Sequence, residues 1–422
     1  MPLNEKRQAQ LMKKIEHVWV WLDEPNFGPI QKVGTLSRGD KGVLRFAYEP
    51  AWLQQPHAFS LDPELQLMSG MYYPKNANFG VFLDSCPDRW GQTLMQRRED
   101  IEAKDQARTR KTLGSWDFLL GVQDVTRMGA LRLTEPESSE FLANETVSIP
   151  TIASISELQA AALAITRGTT QDIEKIKEWI KILVAPGSSL GGARPKANIL
   201  NSDGKMWIAK FPAHDDTVDV GLLEKLTHDM AKDCGIDVPM SEIILAGKKH
   251  HTFLVKRFDR NNSERRSFVS AMTMLRRVDG EDASYLDLAA TITEYGSSNA
   301  INKDLEQLFR RVVFNIAAGN RDDHLRNHGF MREYDGWRLA PAYDMNPSLK
   351  KDEHALAIDS TDRRPDLNTA LETAPYYHVG KIRAHEIVEQ VCLVVKRWEQ
   401  YGKRLKLKKM DSIAVEHLFK PV

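Results

Sequence analysis

The stretch Gly319-Asn320-Arg321-Asp322-Asp323-His324-Leu325-Arg326-Asn327 constrains this chain more than any other, because a helix, a break and a crowd of acidic and amide side chains follow one another without a gap. Leu305, Leu308, Phe309, Val312, Val313 and Ile316 recur at helical spacing and predict a helix over Asp304 to Ala318 that stops at Gly319. Gly329-Phe330-Met331 and Trp337-Arg338-Leu339 then read as two short strands around the turn Tyr334-Asp335-Gly336. They carry the chain to Ala342-Tyr343-Asp344-Met345-Asn346-Pro347 and are expected to return Asp344 to the neighbourhood of Asp322 and Asn327. One carboxylate there could take a proton, while an amide and a second carboxylate could hold a hard cation.

Asp322 and Asn327 form D-x-x-x-x-N, the spacing of a protein-kinase catalytic loop in which the Asp is the base and the Asn a magnesium ligand, and Asp344 stands where a second magnesium-binding carboxylate belongs. Two other readings use the same residues. Asp, Asn and Gly also cluster in ordinary turns. His324 and His328, four apart beside Asp322 and Asp323, could hold a hydrolytic metal, although H-E-x-x-H is absent and Gly329 interrupts at once.

A second informative stretch, Pro186-Gly187-Ser188-Ser189-Leu190-Gly191-Gly192-Ala193-Arg194-Pro195-Lys196-Ala197, runs into a strand at Asn198-Ile199-Leu200. Small residues such as Ser189, Gly191 and Gly192 let backbone N–H groups approach phosphate oxygens, and Arg194 and Lys196 add charge. A flexible hairpin loop has the same composition. The next strand, Met206 to Phe211, holds Lys210 among apolar residues, and a helix from about Asp219 to Cys234 carries Glu224 on the side of Leu223, Leu226 and Met230. Glu224 is thereby placed to pair with Lys210, the arrangement that holds nucleotide phosphates in kinases, whereas a lone strand lysine would reach for solvent. Strands at Ser241 to Ala246 and Thr252 to Phe258 complete a small lobe, and Val255-Lys256-Arg257-Phe258 occupies the place of a hinge whose backbone contacts adenine.

The chain's 422 residues suffice for two or three domains, and 58 basic against 58 acidic residues leave no global field to draw it to nucleic acid or an anionic membrane. Cys86, Cys234 and Cys392 lie far apart and outside any C-x-x-C pattern, which suits a reducing compartment. No signal-peptide core or membrane span is evident, so the expected location is cytoplasmic with no membrane partner. Residues 1–17 read as a basic tail. Residues 18–150 read as a β-rich docking or regulatory subdomain, long enough for its own core and without a convergent cluster of functional groups, with strands at Val18 to Leu22, Val33 to Ser37, Gly42 to Tyr48 and Met128 to Leu133. Residues 151–258 form the small lobe, opening with packing helices over Ser154 to Val184, and 259–422 a mainly helical large lobe. The expected fold class is α+β, two-lobed and protein-kinase-like, with an added N-terminal subdomain.

The segments GSSLGGARPKA, LVKRFDR, SYLDLA, GNRDDHLRN and APAYDMNPS, together with RFAYEPAWL near the start, resemble the HipA family of serine/threonine kinases, toxins of bacterial toxin–antitoxin pairs. The resemblance covers about residues 18 to 400 and makes 18–150 the family's N-terminal subdomain. It implies that Lys210, oriented by Glu224, binds the phosphates of ATP, that Asp322 is the general base, and that Asn327 and Asp344 bind Mg2+. Lys256 and Phe258 would meet adenine through backbone groups. Ser189, or Ser188 beside it, would be the serine whose autophosphorylation silences the enzyme. The family further implies a small helix-turn-helix antitoxin that alone contacts DNA, and an aminoacyl-tRNA synthetase as a candidate protein substrate. Asn320-Arg321-Asp322 and Tyr343-Asp344-Met345 replace the H-R-D and D-F-G of ordinary protein kinases, so peptide rules from that wider group do not transfer. The competing reading is a kinase-shaped binding module that holds an antitoxin–DNA complex with little transfer.

Overall fold

The computed structural model describes residues 15–39, 42–143, 149–167, 179–180, 183, 194–247 and 249–419. The first layer is an antiparallel sheet in the order β3-β2-β1-β4, made of β1 (His17–Leu22), β2 (Gln31–Arg38), β3 (Leu44–Tyr48) and β4 (Leu131–Thr134). Alternation along β1 sets its buried face: Val18, Val20 and Leu22 are buried, while Trp19 and Trp21 lie on the other side, half covered. Between β3 and β4 runs helix α1 (Arg89–Asp105), whose start is capped by the Asp88 carboxylate accepting from the Gly91 N–H. The basic tail expected over 1–17 falls outside the described residues up to residue 14, and His17 opens β1.

The second sheet has the order β5-β6-β8-β7, from β5 (Lys196–Leu200), β6 (Met206–Lys210), β7 (Ser241–Ile244) and β8 (Thr252–Lys256), all neighbours antiparallel. Helix α2 (Val220–Asp233) joins β6 to β7 and packs on β7 and β8. Asp219 caps it and also accepts from the His251 N–H, which ties the helix start to the entry of β8. A helix over Ile155–Arg167 matches the first half of the expected packing helices; most of the second half lies outside the described residues.

Beyond β8 a two-stranded ribbon, β9 (Arg260–Asn261) with β10 (Glu264–Arg265), opens the region expected to be mainly helical. The hairpin of β12 (Gly329–Arg332) and β13 (Trp337–Leu339) forms as read, and β11 (Phe268–Ser270) adds a third strand that is too short to leave a pattern. Helices α3 (Tyr285–Tyr295), α4 (Ile301–Ala317) and α5 (Lys381–Val395) make up the body of the large lobe, with α4 between the other two. Its apolar stripe is buried as expected, and so are Arg310, Arg311 and Asn315, because α4 is enclosed on every side from Leu308 on. Arg311 donates one N–H to the Ala340 carbonyl at 2.6 Å.

The core of the N-terminal subdomain runs on into that of the kinase-like body. Val18, Phe46 and Phe82 belong to the same buried cluster as Phe309, Phe314 and Ile387 of the large lobe. Trp90, Leu94 and Met95 of α1 pack with Ala197, Trp207 and Phe211 of the small lobe. A four-stranded sheet with one apolar face needs a covering layer: Phe46 of β3 packs on Phe79 and Phe82 of its own subdomain, and the helix Gly80–Asp84 carries the join to β11. Buried carboxylates reinforce the join. Glu24 accepts from the Ser267 N–H at 2.9 Å, and Asp84 accepts from the Ser270 N–H and the Thr273 hydroxyl, both at 2.7 Å.

Candidate active site

The loop that carries Asp322 and Asn327 begins at the end of α4. Gly319 takes φ +64°, and a Cβ there would sit 2.9 Å from Cβ of Leu418, so both backbone conformation and space demand glycine. Asn320 folds back on Asn315 through its N–H at 3.0 Å and its amide at 2.9 Å. Asn315 in turn donates to Oδ2 of Asp323 at 2.7 Å, an oxygen that also takes the Tyr285 hydroxyl and Nε2 of His328, each at 2.7 Å. Burial alone would raise the Asp323 carboxyl, but the His328 ring beside it and the bonds from His328 and Tyr285 hold it below its ordinary value. Asp323 is therefore an internal anchor of the loop.

Asp322 does the opposite. Its side chain is 59% exposed and ion-paired with Lys351, while its N–H and that of Arg321 both donate to the Ser348 hydroxyl, at 3.1 and 3.0 Å. The Asn327 amide donates to the Asp322 carbonyl at 3.2 Å, which fixes the side chain and leaves its Oδ1 as an acceptor. Asp322 and Asp323 thus diverge, one to solvent and one to the core. Among the described residues the His324, His328, Asp322 and Asp323 side chains do not assemble into a metal-holding group, which corrects the hydrolase reading.

The second half of the site is a cleft under the small-lobe sheet. Ile208 and Lys210, two apart on β6, share a face with Phe253 and Val255 of β8, and these line the cleft with Glu224 and His228 of α2 and with Asn327, Tyr343, Asp344 and Met345 below. It encloses about 510 Å³, part of it open to solvent. Nζ of Lys210 lies 2.5 Å from Oε1 of Glu224 and 2.7 Å from Oδ1 of Asp344. Burial alone would depress the lysine, but the two carboxylates outweigh it and hold its pKa above the usual value. Asp344 is held below the usual carboxylate range, the Lys210 cation overcoming the cost of burial. Its backbone is left-handed at φ +58°, a conformation that a residue with a Cβ keeps only where its surroundings impose it. Asn327 and Asp344 both line the cleft and offer oxygen donors, the chemistry Mg2+ takes, and one or two such side chains suffice where substrate phosphates complete the shell.

The remaining expected site residues are placed unevenly. Lys196 lines the cleft and pairs with Asp88 at 2.5 Å. Arg194 is turned away to Asp216 in a two-pronged pair at 2.8 and 2.7 Å. The Lys256 N–H is already donated to the Met240 carbonyl at 2.8 Å, and Phe258 packs between Phe268 and Tyr343, so neither lines the cleft; Val255 does. Ser188, Ser189, Gly191 and Gly192 lie outside the described residues. Asp88, Lys351 and Ser348 escape a reading of the sequence because each meets its partner from a distant part of the chain with no local pattern to mark it.

Comparison with known proteins agrees with this architecture. The model of the HipA-like C-terminal domain matches residues 188–398, and that of the HipA N-terminal domain matches residues 20–115. A chain of the Shewanella oneidensis MR-1 toxin–antitoxin complex of HipA, HipB and operator DNA superposes with a TM-score of 0.64 at 16% identity, over 94% of this chain and 95% of that one. A Haemophilus influenzae protein provisionally named a kinase is 26% identical over 181 residues, 37% of this chain; the chain spans about half of that relative's length, 52%. The Helicobacter pylori proinflammatory kinase CtkA overlaps 53% of this chain and 94% of its own at 13% identity, with a TM-score of 0.33. No helix among the described residues is long and apolar enough to cross a membrane. With one family model spanning 188–398 and its N-terminal companion 20–115, the chain belongs to the HipA family.

Proposed function

We propose that this protein is a serine/threonine protein kinase that transfers the γ-phosphoryl group of ATP to a protein hydroxyl, and that it acts as the toxin of a toxin–antitoxin pair. The observation that carries the reading is Lys210, held between Glu224 and Asp344 in a cleft that also contains Asn327, with Asp322 exposed at its edge. In this scheme Lys210 meets the ATP phosphates and Asp322 takes the proton of the acceptor hydroxyl as its oxygen bonds to the γ-phosphorus. The bond from that phosphorus to the β–γ bridging oxygen breaks, and ADP leaves. Magnesium, on Asn327 and Asp344, would neutralise phosphate charge. Transfer of this kind needs positioning and charge compensation more than covalent help, so the small set of residues suffices.

The similar Shewanella complex contains HipB and operator DNA. We infer for this chain a small helix-turn-helix antitoxin as partner, with DNA reached only through it, a cytoplasmic location, and a protein substrate for which an aminoacyl-tRNA synthetase is the candidate. Autophosphorylation at Ser189 or Ser188 would add about −1.5 to −2 charges to the loop that approaches the phosphates and would lower ATP affinity.

The test is Asp322→Asn. It should abolish labelling of protein by radioactive ATP, including phosphate on Ser188 or Ser189 by mass spectrometry, while calorimetry still records ATP binding. Undiminished labelling removes Asp322 from the chemistry. A wild-type protein that binds the antitoxin–DNA complex but transfers nothing is the binding module instead.

A further inference from the structure

Lys196 and Lys210 are directly opposite one another on β5 and β6, and both side chains line the cleft. Like charges at such a pair repel, so each needs a compensating anion. Lys210 has Glu224 and Asp344. Lys196 has Asp88, which comes from the N-terminal subdomain, 108 residues earlier in the chain. The pair is enclosed, with side chains only 3% and 1% exposed, and Nζ to Oδ2 is 2.5 Å. The other Asp88 oxygen accepts from the Gly91 N–H at 2.8 Å, so the carboxylate is fixed by the start of α1. Two residues further, the Trp90 indole N–H donates to the Lys196 carbonyl at 3.2 Å. The first turn of α1 therefore grips both the backbone and the side chain of the residue that leads out of the Gly-rich stretch.

We propose that Asp88 is a positioning residue of the nucleotide site: it holds Lys196 in place as a second cation for the phosphates, which makes the N-terminal subdomain part of the catalytic unit. An enclosed ammonium stripped of its anion would leave its place. Losing Asp88 is thus equivalent to losing Lys196 as a cation, although Asp88 itself touches no phosphate. By reciprocity, whatever shifts the start of α1 changes affinity for the triphosphate, and the triphosphate changes affinity for a partner that binds there.

The inference rests on the reading of the cleft as an ATP site, and the experiment separates the two. Full-length protein is titrated calorimetrically with the magnesium complex of a non-hydrolysable ATP analogue and, separately, with adenosine, which lacks phosphates. Asp88→Asn and Lys196→Met should each weaken the triphosphate about tenfold, the scale of one hydrogen bond to a charged group, and leave adenosine within twofold. The double variant should be no weaker than Lys196→Met alone, because both changes remove the same interaction. Asp88→Ser, which keeps a capping oxygen for α1, repeats the measurement should Asp88→Asn unfold. Triphosphate affinity unchanged in Asp88→Asn, adenosine lost in parallel with the triphosphate, or additive effects in the double variant would each overturn the role of Asp88. A wild-type protein that binds neither ligand overturns the ATP site itself and this inference with it.

Discussion

Of the buried charge clusters among the described residues, the one at the hinge and the one in the cleft differ in whether capacity is left over. At the hinge, Arg257 donates to both oxygens of Asp259, at 2.8 and 2.6 Å, and to the Thr126 carbonyl and Asn198 amide oxygen at 2.7 and 3.0 Å. Arg260 reaches the same Asp259 at 2.6 Å, and the Gly129 N–H adds a further bond at 2.9 Å. Cations, anion and backbone groups satisfy one another, and the result clamps the N-terminal subdomain to the segment between the lobes. In the cleft, by contrast, Lys210 faces two carboxylates and Asn327 keeps an acceptor oxygen. Buried charge is thus no sign of chemistry by itself. What distinguishes a site is a surplus of donors or acceptors that the fold does not use.

The largest effect should come from breaking the saturated cluster. Asp259→Ala leaves Arg257 and Arg260 buried without their anion and is expected to cost about 3–5 kcal/mol of stability in chemical denaturation. A loss below about 1 kcal/mol would mean that the hinge is not clamped in this way. Lys210→Met reverses the pattern: phosphoryl transfer should fall about 10²–10³-fold, as for loss of one aimed donor, while stability falls by less than about 2 kcal/mol because the cleft is open to water. Equal damage to stability in the two variants would erase the distinction between the clusters.

A smaller effect is set by pH. Burial works against the Asp259 charge, but the Arg257 and Arg260 guanidinium groups hold its carboxyl far below the usual range. A carboxyl depressed on folding stabilises the native state above the unfolded value, near pH 4, and that contribution drains away as the pH falls toward the folded value. The wild-type protein should therefore lose stability steeply below about pH 4, and Asp259→Asn, already weakened at neutral pH, should show a shallower acid limb. Denaturation midpoints from pH 7 down to pH 3 decide it. Parallel curves would place the acid-sensitive carboxylates elsewhere.

The same contrast explains what the sequence could reveal. Lys210 and Glu224 were legible because each sits in a short element whose period fixes its face, and one strand-to-helix step brings them together. The meeting of Asn327 and Asp344 in one cleft was legible from spacing around a hairpin. Arg257, Arg260 and Asp259 look like an ordinary charged segment, because nothing local says that residues 126 to 129 will cover them. Asp88 is hidden for the same reason, its partner being 108 residues away. Asp322 and Asp323 are the same residue type side by side, and only the third dimension separates the one turned to solvent from the one held by Tyr285, Asn315 and His328.

The smallest effect should belong to Arg194, and it sharpens the comparison most economically. Sequence places Arg194 and Lys196 alike, two residues apart at the end of a Gly-rich stretch, and charge alone gives both to the phosphates. The fold separates them: Lys196 lines the cleft, whereas the Arg194 guanidinium spends its fork on Asp216 and the Phe211 carbonyl, the latter at 3.1 Å. An Arg with two carboxylate bonds and a carbonyl has little left to offer a ligand, since the planar fork cannot turn to a phosphate without abandoning them together. Arg194→Met should therefore cost about 1 kcal/mol of stability, as befits a partly exposed pair, and change triphosphate affinity by less than twofold, against the tenfold expected for Lys196→Met. Measured side by side in one calorimetric series, the two variants separate a spent cation from one with spare capacity. An Arg194→Met protein that loses the triphosphate as severely as Lys196→Met would show that Arg194 leaves Asp216 when nucleotide arrives, and the division drawn from the ligand-free geometry would fail at this residue.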